Sequence, residues 1–210
     1  MCAALAAGSF LFSAFLIPPR RTGEDLNGAR LSVDGVIAAR TAGWASLSVC
    51  LIALLMIPLV LSDVSGTPLS QVLFAPSAWA TALEQVADAQ VWLGVAAIAG
   101  VVGVVALTAH SWWAQVALLI GSLVTIMPLG LTGHSATGGD HDYGTNSFLW
   151  HLVFMLLWIG ALMALVAYVV MIGAGIKAQG GGQYIKSQLF PAGVPKAMYL
   201  LVTPIEAVST

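Results

Sequence analysis

The chain has 210 residues, of which 59% are hydrophobic and only 8% charged, and its formal net charge is −2. Soluble domains carry roughly 25% charged residues. A mean hydropathy of +0.94 therefore leaves too little polar surface to coat a water-soluble globule, and the chain belongs in a bilayer. Nothing in it is basic enough for a nucleic-acid partner, and without GxSxG, a phosphate loop or HExxH, hydrolase and nucleotide chemistry have no support.

Residues 1–17 are apolar and close with Pro18-Pro19-Arg20-Arg21. The arginines follow the apolar run, which is the reverse of a cleavable signal peptide. The stretch reads as a first membrane span near the short limit of roughly 17–25 residues, short enough to suggest that an earlier N-terminal portion is missing. Residues 20–40 form a polar connector that turns helical at its end. A second span follows over 41–61, with Pro58 near its exit.

Residues 62–90 are a longer linker. Within it, Ser77 is a candidate N-cap for a short amphipathic helix, with Trp79 as an interfacial anchor. The third span, 91–109, contains Gly94, Gly100 and Gly103, small residues that permit close helix approach. His110-Ser111-Trp112-Trp113 turns at an interface into a fourth span, 114–131. A fifth, long span covers about 148–176, and the tail 177–210 is too broken by glycine and proline for a complete sixth. Cys2 and Cys50 have no CxxC spacing and lie in apolar segments, where each reads as a small core residue.

The expected fold class is thus an all-α integral membrane protein with about five transmembrane helices. All seven Lys and Arg (Arg20, Arg21, Arg30, Arg40, Lys177, Lys186 and Lys196) fall on the first connector or the tail, and five spans put these on one side. The positive-inside rule then predicts a cytoplasmic C-terminus, an outside N-terminus and an extracytoplasmic loop at 132–147.

That loop carries His134, Asp140, His141 and Asp142 and leads into His151 at the start of the fifth span. Helical periodicity places His151, Met155 and Trp158 on one face, and Met127, seven residues before His134, can share that residue's face. Imidazole and thioether together suit copper better than Mg or Ca. The candidate ligands are His134, His151, Met155, His141 and Met127. His151 is the strongest, because an ionisable group within a span is costly and usually has a specific partner. A bland reading accounts for the same residues: histidines and aspartates solvating a membrane edge, with methionines filling gaps in the packing. His110 lies at the other end of a helix that rises roughly 27–30 Å, too far to join the set. A haem needs two axial ligands across one macrocycle; His134 and His151 could in principle supply them, but both sit near the outer edge and neither has a repeated partner lower down.

The stretch TGHSATGGDHDYGTNSFLWHLVFMLLWIGAL, together with FLIPPR, DVSGTPLS and ALEQVADAQVWL, resembles the copper-resistance D (CopD) family. The likeness is to actinobacterial proteins that join a CopD domain to a cytochrome c oxidase assembly domain. It covers residues 1–167 and makes His134 and His151 the family's histidines and Trp158 its tryptophan. Ala161 stands where family members often have the second glycine of Trp-x-Gly-Gly. The resemblance implies a multi-helix membrane protein, not an enzyme, in copper uptake, tolerance or delivery. Its expected partners are a copper ion, the lipid bilayer, and cytochrome c oxidase or another respiratory complex. A scaffold or assembly module without a metal is the first alternative.

Residues 168–210, and most clearly GGGQYIKSQLFPAGVPKAMYLLVTPIEAVST, resemble subunit a of the rotary F-type ATP synthase. No arginine follows Arg40, so a complete proton half-channel is not expected. A fragment of a proton-translocating ATP synthase subunit a, which rests on the tail alone, is the second alternative. The two resemblances together make the sequence composite, with the CopD-like part incomplete relative to its family.

Overall fold

The computed structural model describes residues 1–16, 31–131 and 141–184, with backbone alone at Pro76, Ala78, Thr81, Ala82, Leu131, His141 and Asp142. These residues are helical apart from short turns. Helix α1 (Cys2–Leu11) continues into a π-helical turn, Phe12–Leu16. Next come α2 (Val33–Ser65), the short α3 (Leu69–Leu73) and α4 (Pro76–Gln85), α5 (Ala87–Thr108) and α6 (Trp112–Val124), which ends in a 3₁₀ turn, Met127–Leu131. The long α7 runs from His141 to Gln179. The chain is an all-α integral membrane protein. Among the described residues, four helices are long and apolar enough to cross a bilayer: Val33–Ser65, Ala87–Thr108, Trp112–Gly130 and Tyr143–Gln179. The expected first span is a shorter apolar helix, Cys2–Leu16. It rises only about 22 Å, against a hydrocarbon core of about 30 Å.

The chain divides into two compact units, Met1–Leu165 and Val166–Thr210. In the first, α2 and α5 share the most extensive contact, and α1 and α6 pack against them. The shared core is built from small residues with a few large ones: Ala6, Ala7 and Phe10 of α1, Ala42 and Ala45 of α2, Val102 and Ala106 of α5, and Leu118 and Leu119 of α6. Lipid tails are as apolar as leucine, so such helices associate by close packing rather than by hydrophobic burial. Helices α2 and α5 approach closely at Gly43 and Gly103. A Cβ on Gly103 would come 2.7 Å from Leu47 Cγ and 3.1 Å from Gly43 O. Of the three glycines picked out in this span, only Gly103 is so confined; Gly94 has no atom nearer than 3.8 Å. Large apolar side chains such as Leu51, Ile52, Leu55, Val101 and Val104 point outward, as a lipid-facing surface requires.

Several boundaries differ from the sequence reading. Helix α2 extends to Ser65 and is capped by Gly66 in the left-handed region (φ 65°), so Pro58 is buried inside the helix rather than near its exit. Helix α4 begins at Pro76, which puts Ser77 within its first turn and not at the N-cap. Proline suits the first helical position because its missing N–H is unpaired there in any case. Trp79 is half-buried against Ile57, Leu61, Val72 and Ala89, and its Nε1 donates to Val72 O at 3.1 Å.

Hydrogen bonds fix one end of the bundle. Leu31 N donates to His110 O (3.1 Å) and Trp112 Nε1 to Ala14 O (2.7 Å), which joins the end of α1, the start of α2 and the α5–α6 turn. Ser111 caps α6 by accepting from Ala114 N. In the second unit the last turns of α7 end at Gly180 (φ 82°), after which Tyr184 folds back and lies buried over Gly175.

Candidate metal centre

Helix α7 begins at His141, seven residues earlier than the sequence suggests. The segment His141–Ser147 is helical instead of looped, so His151 lies in the third turn and not the first. His141 and His151 are ten residues apart, about 15 Å along the axis. That is too far along one straight helix for both positions to ligate a single ion. His134 and Asp140 lie outside the described residues, and His141 and Asp142 are described only in their backbone.

Packing gives α7 two faces. Val153, Leu156, Gly160 and Ala164, spaced three or four apart, are buried. Leu156 joins Ala4 and Ile126 in a cluster that Leu152, Ile159 and Met163 extend. At the crossing with α1, the two glycines meet backbone to backbone. A Cβ on Gly160 would come 2.9 Å from Gly8 N and 3.1 Å from Ala4 O. The opposite face is exposed and carries His151, Met155 (40% exposed) and Trp158 (67%) together, as the spacing predicts. Trp150 stacks on Phe154 beside them, with ring centroids 5.7 Å apart.

Met127 opens the 3₁₀ turn that adjoins this part of α7. Gly130 lies against Leu149, and Leu129 belongs to the same cluster as Leu152. Met127 is 40% exposed. The structure thus brings His151 and Met155 together on one exposed face, while the turn that bears Met127 packs against the opposite, buried face of α7. Among the described residues, no three His, Cys, Asp or Glu side chains cluster as metal ligands. His110 is at the opposite end, with Nε2 buried and without a hydrogen-bond partner among the described residues. Cys2 and Cys50 are free and partly buried.

Among the described residues, five buried polar side chains were not picked out in the sequence: Ser13, Ser46, Gln115, Ser122 and Thr125. Gln115 is fully buried; its Nε2 donates to Ala109 O (3.0 Å) and its Oε1 accepts from Ser13 Oγ (3.4 Å). A signal was available, since Gln115, Ser122 and Thr125 are seven and three residues apart on an otherwise apolar helix, the spacing of a single face.

Residues 1–143 match the family described as copper resistance protein D-like, N-terminal domain. No curated protein and no solved structure matches. The matched span includes Met127, His134 and His141 but ends before His151 and Met155. The likeness of the tail to ATP synthase subunit a gains no support from these comparisons, and residues 185–210 lie outside the described structure.

Proposed function

The chain belongs to the copper resistance protein D-like family, and on that footing we propose that it takes copper at the extracytoplasmic end of the bundle and passes it inward. One observation carries this reading: His151 and Met155 stand one turn apart on the same exposed face of α7. Imidazole with thioether favours copper over harder cations. An ionisable residue on a membrane helix is expensive unless it serves a specific partner. His134 would complete the ligand set from the preceding segment, with His141 as a separate, earlier contact on the approach. The protein would move the ion without covalent chemistry, towards storage, tolerance or a respiratory oxidase. The charge asymmetry of the connectors supports the assigned sides.

A second reading, a metal-free assembly module for a respiratory complex, would leave the exposed Met155 and Trp158 face of α7 to meet a protein partner. Copper affinity of His151→Ala and His110→Ala, measured by competition with a chromophoric Cu(I) chelator in detergent, separates the two. The copper reading expects at least a tenfold loss confined to His151→Ala. Equal effects of the two substitutions would reject it.

A further inference from the structure

Between α1, α2, α5 and α6 lies a small cavity of about 10 Å³. Its walls are Ala3, Ala6, Val49 and Ala99, together with three hydroxyl side chains, Ser46, Ser122 and Thr125. We propose that this cavity is a binding site for one water molecule, which links α2 to α6 in the interior of the membrane.

The hydrogen-bond inventory specifies the guest. Ser122 Oγ donates to Leu119 O (2.7 Å) and Thr125 Oγ1 donates to Gly121 O (2.9 Å). Each hydroxyl has spent its proton within its own helix and retains lone pairs that can accept. Ser46 differs. It is only 3% exposed, and among the described residues its hydroxyl makes no hydrogen bond, which leaves it able to donate and to accept. A guest suited to this wall donates two hydrogen bonds and accepts one, which water does. The volume matches that of a single water. Hard cations gather six or more oxygen ligands, and the three hydroxyls here are too few. In the hydrocarbon region no bulk solvent can satisfy Ser46, so a fixed water meets a requirement that the rest of the fold does not.

The test is a crystal structure of the full chain in a lipid phase at a resolution that shows ordered water, paired with thermal unfolding of two serine variants. The expected map has one peak within hydrogen-bond distance of Ser46 Oγ and at least one of the hydroxyls of α6. No peak there, or a peak that strengthens on soaking with Rb⁺, would overturn the proposal. Ser46→Ala should unfold about 2–6 °C below Ser48→Ala. Ser48 is exposed on the same helix and bonds only to Trp44 O, so it controls for loss of a hydroxyl. A Ser46→Ala protein as stable as Ser48→Ala would show that no bound partner was lost.

Discussion

Substituting Gly160 by alanine tests the packing that presents the candidate centre. Gly160 sits where α7 crosses α1, and an added Cβ would come 2.9 Å from Gly8 N, 3.1 Å from Ala4 O and 3.2 Å from Gly8 Cα. All three are helix backbone atoms, so no side chain can rotate away and the two helices must part. Overpacking of this kind costs about 1–3 kcal/mol. Alanine also raises helix propensity by about 1 kcal/mol relative to glycine, which would mask part of the effect in a single variant. Gly173 supplies the correction, because it lies in the same helix with nothing within 4 Å of its Cβ position. The difference between Gly160→Ala and Gly173→Ala isolates the steric cost. At about 2–4 °C per kcal/mol for a chain of this size, Gly160→Ala should unfold about 2–12 °C below Gly173→Ala. Intrinsic tryptophan fluorescence during heating in detergent reads this directly. Equal unfolding temperatures, or a more stable Gly160→Ala, would refute the crossing.

Gln115→Leu keeps the volume but leaves the Ala109 carbonyl without its side-chain donor, while Ser13 retains its bond to Phe10 O. A loss of about 1–3 kcal/mol is expected, read as a lower unfolding temperature; unchanged stability would contradict the buried bond. The proposed topology predicts that Thr67→Cys, in a chain with Cys2 and Cys50 replaced by alanine, reacts with a membrane-impermeant maleimide on intact cells. Ala178→Cys should react only after permeabilisation, and the reverse pattern would invert the assigned sides.

The membrane class and the long spans were legible because they rest on composition and length, which no tertiary contact overrides. The start of α7 was not. His141, Asp142, Gly144 and Asn146 together read as a turn, yet the chain winds into helix from His141, and that moves His151 two turns inward. Which face of α7 would be open was equally hard to read, because the helix is apolar nearly all round and its polarity does not mark an inner side. The inner face is set by small residues meeting across α1, Gly8 against Gly160. The polar stripe of α6 could have been found from spacing alone, but only packing shows that Ser46 of α2 faces the same cavity.

The most direct test of the account is the copper content of the detergent-purified protein after equilibration with Cu(I), wild type beside the His134→Ala/His151→Ala double variant. The account predicts about one copper per wild-type chain, lost in the double variant, with the unfolding profile of the variant preserved. No copper in the wild type, or the same copper in both proteins, would contradict it.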